Sequence, residues 1–398
     1  MIKKVQANEV RLGMYIHEIR GNWMEHPFWR KSFKLVQQKD LDKLVSCNLD
    51  EIWIDTGKGL DVIKTNQVKN LGGVTSAKPL QSIKKPVARV SVEEELHVAK
   101  KIQNKAKEAV AAMFGDVRMG NALEIEEAKA LVNEINQSVE RNPNALLTLI
   151  RLRNVNEYTY MHSVAVCVLM VALGRHLGLS EAQIKQAGTA GLLHDIGKMV
   201  IPNEVLNKPG KLTDDEFIIM KSHPVRGWEI LKSCYQVHES VLDVCLHHHE
   251  RMDGKGYPEK LSGDVLTLFA RMGAVCDVYD AISSDRCYKP AWSPAESIRK
   301  MASWRDGHFD ESIFQAFVKT VGIYPSGTLL KLQSGRLGVV IEQSAKKLTT
   351  PIVKTFFSTR ANTHIPVEII DLSKGMDSIE NIEDPVKWGF DLNKIQGI

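Results

Sequence analysis

Leu192-Leu193-His194-Asp195-Ile196-Gly197-Lys198 is the stretch on which the reading of this chain turns. His194 offers an imidazole lone pair. Asp195 has two carboxylate oxygens, enough to bridge two cations, and Lys198 follows three residues later. A lone His-Asp pair means little. Outward from it, however, stand His162, His223, His248, His249 and Asp277, so candidate ligands of hard or borderline character recur through one stretch of sequence. A metal site needs lone pairs that converge, and helices bring them together from distant positions. His162, His194, Asp195 and Asp277 form one candidate set and His223, His248 and His249 a second, with Asp195 the natural bridge. Imidazole and carboxylate without thiolate favour Fe or Mn, with Zn, Ni or Mg as alternatives. Two ions about 3.5–4 Å apart would activate a bridging water and clamp a phosphoryl group for in-line displacement. Lys198 is close enough in sequence to neutralise charge in such a transition state. Adjacent helical positions point about 100° apart, so His247, His248 and His249 do not share one role, and His247 is left outside. His17, His26, His97, His176, His238 and His364 read as ordinary core or surface histidines.

The surroundings of these residues are helical. From Ala145 to about Val321 apolar residues recur at helical spacing, and Val164 to Leu173 is apolar enough for a buried core helix but only about half a membrane span. Leu177-Gly178 ends one helix. Ser180 with Gln183 three residues on opens the next as a capping box, carrying His194-Asp195 near its end and stopping before Pro202. Thr213 with Glu216 repeats that signal before a helix expected to end near His223-Pro224. A further helix over Glu239–Glu250 delivers His248 and His249, the chain turns through Asp253-Gly254-Lys255-Gly256-Tyr257-Pro258, and Leu268 to Ser284 is helical with Asp277 inside it.

The flanks differ in character. Residues 8–63 read as a small β-rich unit, with strands at Val10–Ile16 and Glu51–Asp55 and a short helix over Lys39–Cys47. Residues 64–90 mix Gly, Ser, Pro and Lys as a linker does. A helix opens at Ser91 with three glutamates in its first turn, and another spans about Ile125 to Asn142. After Gly322, short strands at 328–332, 337–341, 353–357 and 367–370 form a β appendage. The expected class is mainly α. It has a small N-terminal unit at 1–128, an all-helical catalytic unit at 129–326 and a β-rich extension at 327–398. The aromatic stretch Trp23–Trp29 reads equally as a partner surface or as core of the small unit.

Composition narrows the function. The 398 residues are 43% hydrophobic and 25% charged, with net charge +4. That is a globular balance, too even for coating a nucleic-acid polymer. Met1-Ile2-Lys3-Lys4 is followed by no apolar signal segment, and no stretch is long enough to span a membrane. Six cysteines without a CxxC pattern fit reduced thiols in a cytoplasm.

Taken jointly, these motifs resemble the HD-GYP domain of the HD phosphohydrolase superfamily. The resemblance rests on Tyr158-Thr159-Tyr160-Met161-His162-Ser163, His194 to Lys198, His223-Pro224, and His248-His249-Glu250-Arg251-Met252-Asp253 through Pro258. It extends to Asp277-Val278-Tyr279-Asp280-Ala281, Asp285-Arg286-Cys287-Tyr288-Lys289 and Gly307-His308-Phe309-Asp310, covering about residues 135–325. The N-terminal segment resembles a small domain that often precedes such modules. The resemblance implies a metal-dependent phosphodiesterase opening 3′,5′-linked bacterial cyclic dinucleotides, cyclic di-GMP or 3′3′-cyclic GMP-AMP. It implies His162, His194, Asp195, His223, His248, His249 and Asp277 as metal ligands, Asp195 and Lys198 as catalytic residues, and Arg286 and Lys289 on substrate phosphate. Gly256, Tyr257 and Pro258 then shape the substrate pocket, and their turn is a candidate contact for diguanylate-cyclase-type partners. Members with three metals carry a glutamate four residues before the first histidine. Here that position is Tyr158, and Glu157 is off by one, so two ions and a linear dinucleotide product are expected. An HD-type nucleotidase and a catalytically weak cyclic-dinucleotide receptor or scaffold are the alternatives. The Gly256-Tyr257-Pro258 turn with Arg286 and Lys289 argues against the first, the filled ligand set against the second. Sequence leaves the oligomeric state open.

Overall fold

The computed structural model describes residues 2–5, 10–20, 32–36, 41, 51–61, 89–150, 158–284, 291–344, 347–392 and 395. They divide into two compact units, residues 1–85 and 86–398.

The first unit is an antiparallel sheet of β1 (Ile2–Val5), β2 (Tyr15–Arg20), β3 (Phe33–Lys34) and β4 (Glu51–Asp55), in the order β1-β4-β2-β3. Ile52 and Ile54 are buried while Trp53 between them is half-exposed, the period-two alternation of a strand with one face on a core. They close over Val5, Val10, Met14, Ile16 and Leu35. The strand expected at Val10–Ile16 begins later and runs further, because the chain first turns at Leu12-Gly13, where φ is +91°. The helix expected at Lys39–Cys47 falls, apart from Leu41, outside the described residues, as do Trp23–Trp29 and nearly all of the linker.

The second unit opens with α1 (Val92–Arg118), whose Ser91 and Glu94 form a reciprocal capping box. Its buried Ala99, Ile102, Ala106, Val110 and Met113 recur every three or four residues. They pack on α2 (Ile125–Arg141), α3 (Pro143–Leu149) and α4 (Tyr158–His176). In space α1 groups with the helices that follow. Glu95 of α1 is 2% exposed. It accepts two hydrogen bonds from Arg141, at 2.7 and 2.8 Å, and one from Ser138 at 2.7 Å. Helix α4 is buried from Met161 to Leu173, as its continuous apolar run requires. Among the described residues, no helix is long and apolar enough to cross a membrane.

Helix α5 (Glu181–Leu193) packs along α4 and starts at the Ser180–Gln183 capping box. It stops sooner than expected. His194 is its C-cap, and residues Ile196–Val200 tighten into a 3-10 turn. The reason is packing. A Cβ on Gly197 would lie 2.0 Å from the His223 carbonyl oxygen and 2.4 Å from the Gly227 nitrogen, so this turn sits backbone to backbone on the next long helix. After α6 (Asn203–Leu206), α7 (Asp214–Met220) starts at Thr213 as expected but ends before His223. His223 opens a separate helix, α8 (His223–Ser233), with Pro224 in its first turn, where the missing N–H has no partner to lose. Helix α9 (Glu239–His247) stops at His247, with His248 as its C-cap, three residues short of expectation. Helices α10 (Leu268–Ile282), α11 (Pro294–His308) and α12 (Glu311–Val321) complete the bundle.

An antiparallel sheet closes the chain: β5 (Leu329–Leu332), β6 (Arg336–Glu342), β7 (Ile352–Ser358), β8 (Thr363–Asp371) and β9 (Ile379–Ile382), in the order β8-β7-β6-β5-β9. The last expected strand, 367–370, is the end of the longer β8. Strand β9 and the short α13 (Pro385–Trp388) were not anticipated. The fold is mainly α with small terminal sheets.

Two substitutions test this packing. Arg141→Ala leaves the Glu95 carboxylate buried without its counter-charge and should cost about 3 kcal/mol in urea denaturation; a change below 1 kcal/mol would show the pair is not a staple. Gly197→Ala forces the 3-10 turn off α8 and should cost at least about 1–3 kcal/mol by the same measurement.

Candidate metal centre

Five helices deliver the polar groups predicted from the sequence to one buried point. His162 lies on α4, His194 and Asp195 follow the end of α5, and His223 is the first residue of α8. His248 and His249 follow α9, and Asp277 lies inside α10. All are at most 5% exposed except His249, which is intermediate. His247 is elsewhere: it pairs with Asp243 at 2.8 Å and Glu259 at 3.2 Å.

The imidazoles are oriented by what their Nδ1 atoms touch. Nδ1–H of His194 donates to the Gly191 carbonyl at 2.8 Å, that of His223 to Met220 at 2.7 Å, and that of His248 to Cys245 at 3.0 Å. His162 uses a carboxylate, donating from Nδ1 to Asp280 Oδ2 at 2.6 Å. For His194, His223 and His248 the bare Nε2 is left as the inward ligand atom, while His162 Nε2 lies 2.9 Å from Asp277 Oδ1. Asp280 is a residue for which the sequence reading found no role. Its signal was its place three residues after Asp277, on the same face of α10.

Asp195 lies between two groups of these nitrogens. Its Oδ2 is 3.5 Å from His162 Nε2 and 3.4 Å from His194 Nε2; its Oδ1 is 3.3 Å from His223 Nε2 and 3.7 Å from His248 Nε2. Asp277 Oδ1 is 2.9 Å from His162 Nε2 and 3.7 Å from His194 Nε2, and Asp277 Oδ2 is 3.6 Å from His249 Nδ1. Three triads each offer ligand atoms within 4.8 Å of one another: His162, His194 and Asp277; His194, Asp195 and His248; His223, His248 and His249.

The residues fit a cation. His194 Nε2 and Asp195 Oδ1 are buried without an aligned hydrogen bond among the described residues. Leaving such groups unmatched costs about 1–3 kcal/mol each. The charge states agree. Burial pushes the Asp195 carboxyl up, but Lys198 and the adjacent imidazoles outweigh it and hold it well below the usual range. Asp277 behaves alike, its burial outweighed by the imidazoles around it, His162 first. Burial, reinforced by its histidine neighbours, drives His248 far down, and burial brings His249 to about 3. His162 runs the other way: burial opposes its charge, but hydrogen bonds to Asp277 and Asp280 prevail and raise it, so a cation bound there would displace its Nε2 proton. Thiols stay out of the chemistry, since burial pushes Cys167, Cys245 and Cys276 up into the protonated form.

At the rim, Lys198 Nζ is 2.6 Å from Asp195 Oδ2. The Tyr257 ring stacks on His249 with centroids 4.7 Å apart, and burial with the nearby carboxylates raises its phenol. Gly256 permits this, for a Cβ there would lie 2.5 Å from Glu250 Cα and 2.6 Å from the His249 carbonyl oxygen. Pro258 follows Tyr257 through a cis peptide, and the Glu259 N–H donates to the buried Glu250 carboxylate at 2.6 Å. Tyr158 is the first residue of α4, four before His162. Arg286 and Lys289 lie outside the described residues.

Comparison with known proteins places this centre in a lineage. A domain of unknown function (DUF3391) matches residues 2–128, and an HD domain matches residues 128–313. A cyclic di-GMP phosphodiesterase of Pseudomonas aeruginosa is 50% identical over 397 residues, 98% of this chain and 94% of that protein. A cyclic di-GMP phosphodiesterase response regulator of Xanthomonas campestris is 36% identical over 192 residues, 48% of this chain and 50% of that protein. A 3′3′-cGAMP-specific phosphodiesterase of Vibrio cholerae is 33% identical over 162 residues, 40% of this chain and 31% of that protein. Because the first likeness runs nearly end to end and the HD match spans every residue of the buried cluster, the chain belongs to the HD-GYP family of HD-domain phosphohydrolases.

Proposed function

We propose that this protein is a metal-dependent phosphodiesterase that opens a 3′,5′-linked cyclic dinucleotide, cyclic di-GMP or 3′3′-cGAMP, to the linear dinucleotide. The observation that carries the reading is Asp195, its two oxygens turned to two groups of inward imidazoles with Lys198 beside it. The near full-length likeness to a cyclic di-GMP phosphodiesterase supports the substrate class.

His162, His194 and Asp277 would hold one divalent ion, and His223, His248 and His249 a second, with one Asp195 oxygen toward each. The nitrogen and oxygen donor set favours Fe or Mn. Ions held there supply Lewis acidity toward the phosphoryl group and toward water. Lys198 carries positive charge to the oxygens on which charge develops. Asp280 keeps the His162 ring in one tautomer and orientation. Arg286 and Lys289 fasten substrate phosphate, while Gly256 and Pro258 set the turn that presents Tyr257. That turn is also the surface on which a diguanylate-cyclase-type partner would dock. With Tyr158 in place of the glutamate found in three-metal members, we assign two ions per chain and the linear dinucleotide as end product.

Incubating the metal-loaded protein with each cyclic dinucleotide and weighing the products tests the substrate and the end point together; release of mononucleotides at a comparable rate would refute the latter. Asp195→Ala should lose bound metal and at least about 100-fold in turnover, since even partners one step removed from a metal are worth 10–100-fold. Turnover equal to wild type would sink the enzymatic reading. Asp280→Asn should lower metal affinity or activity by about 10–100-fold with the ligands intact. Elemental analysis of anaerobically purified protein should give about two ions per chain, and three would overturn the role given to Tyr158.

A further inference from the structure

Lys221 is a cation at this centre that neither the ligand set nor the family motifs account for. It caps the end of α7, two residues before His223. Its Nζ lies 4.4 Å from the centre of the Phe217 ring and 5.3 Å from that of Tyr257. Tyr257 in turn stacks on His249 at 4.7 Å. The ammonium is therefore no further from a candidate metal-ligand ring than those two spacings together.

Its surroundings are unlike those of Lys198 and Lys208. Lys198 is matched by Asp195 and Lys208 by Glu216, each at 2.6 Å. Among the described residues, the Lys221 ammonium has no carboxylate within ion-pair distance and no hydrogen-bond acceptor; it faces two aromatic rings. Cation–π contacts at exposed sites are weak, and the rotamer freedom lost in fixing a lysine side chain opposes them. Fold stability is thus a poor reason for an ammonium in this place, whereas an incoming anion would complete its coordination.

Resting on the function proposed above, we propose that Lys221 is a positioning residue that binds the non-reacting phosphodiester of the substrate. A cyclic dinucleotide carries two phosphodiesters on opposite sides of one macrocycle. With one over the imidazole and carboxylate cluster, where Arg286 and Lys289 are proposed to fasten it, the other lies a short span away, and Lys221 stands one aromatic ring away from His249 as a charge to match it. The Tyr257 and Phe217 rings hold the ammonium without neutralising it, as a carboxylate would. Lys198, already against Asp195, serves the reacting group; Lys221 then separates substrates with two phosphodiesters from those with one.

The test uses the full-length, metal-loaded protein, its better cyclic dinucleotide, and bis(p-nitrophenyl) phosphate as a probe with a single phosphodiester. Lys221→Gln should raise KM for the cyclic dinucleotide about tenfold, the size of one charge-assisted hydrogen bond, with kcat changed less than about twofold. The kcat/KM for the probe should fall no more than about threefold, and Lys221→Arg should restore KM to within about threefold of wild type. Lys221→Met, which keeps the aliphatic stem against the rings, should match the glutamine variant and guards against a folding defect in either. An unchanged KM in both neutral variants overturns the proposal, as does an equal loss on both substrates at equal metal content. If wild-type protein cleaves the probe and no cyclic dinucleotide, the substrate reading itself fails, and the role of Lys221 with it.

Discussion

Imidazole Nδ1–H groups cap helix ends at the centre of this protein, and much of the structure depends on that exchange. The last four carbonyls of a helix have no partner within the helix, and a helix end buried without one is unstable. Here Gly191 near the end of α5, Met220 at the end of α7 and Cys245 near the end of α9 each receive an N–H from the histidine three residues further on. The helix gains a donor for a buried carbonyl, and the ring gains a fixed tautomer. One bond thus sets where the helices stop and where the Nε2 lone pairs point. The break between α7 and α8 and the end of α9 at His247 follow from this arrangement, which at the early end of α5 acts together with the close packing of Gly197 on α8.

Burying this many ionisable groups runs against the hydrophobic logic of the rest of the unit. Isolated buried carboxylates are strongly disfavoured, yet Asp195 and Asp277 remain ionised because Lys198 and the imidazoles around them favour their charged forms. What supports the expense is the apolar bundle around them. Helix α4 carries His162 on an otherwise buried hydrophobic cylinder, and α5 packs closely along it. Glycine at 197 lets the turn after Asp195 rest on the backbone of α8, bringing the carboxylate within 3.3 Å of His223. Apolar packing fixes the helices, and the polar centre uses their ends.

The parts that were legible in the sequence are those with a local cause. Capping boxes at Ser180 and Thr213 mark helix starts because the side chain and the backbone N–H it satisfies are three residues apart. The run from Val164 to Leu173 reads as buried because no polar face is available to turn outward. The cluster was legible because histidine and aspartate at those spacings serve few other purposes. What the sequence concealed has tertiary causes. Thr213 signals a helix, but its stop before His223 is set by a ring whose partners arrive from α5 and α9. Asp280 looks like any acid on a helix until His162, 118 residues earlier in the chain, is seen against it. Strand β2 starts late because Gly13 turns the chain first, and β9 depends on an edge of β5 that only the folded sheet presents.

Because the candidate ligands come from five helices, a bound ion here would be a cross-link as well as a reagent. A ligand that binds only the native state stabilises it by RT ln(1 + [L]/Kd), about 2.7 kcal/mol at a hundred times Kd. For this chain that energy would act between α4, α5, α8, α9 and α10 together, and it would oppose the mutual repulsion of Asp195 and Asp277. The stack of Tyr257 on His249 carries the same coupling outward, since a ring held by an ion is a fixed surface for the turn that packs on it. The Gly256-Tyr257-Pro258 turn is therefore ordered from two sides: by the Glu250 carboxylate that receives the Glu259 N–H, and by His249. Metal binding and the shape of this turn would then be one equilibrium, because the imidazole proposed to hold the ion also supports the Tyr257 ring.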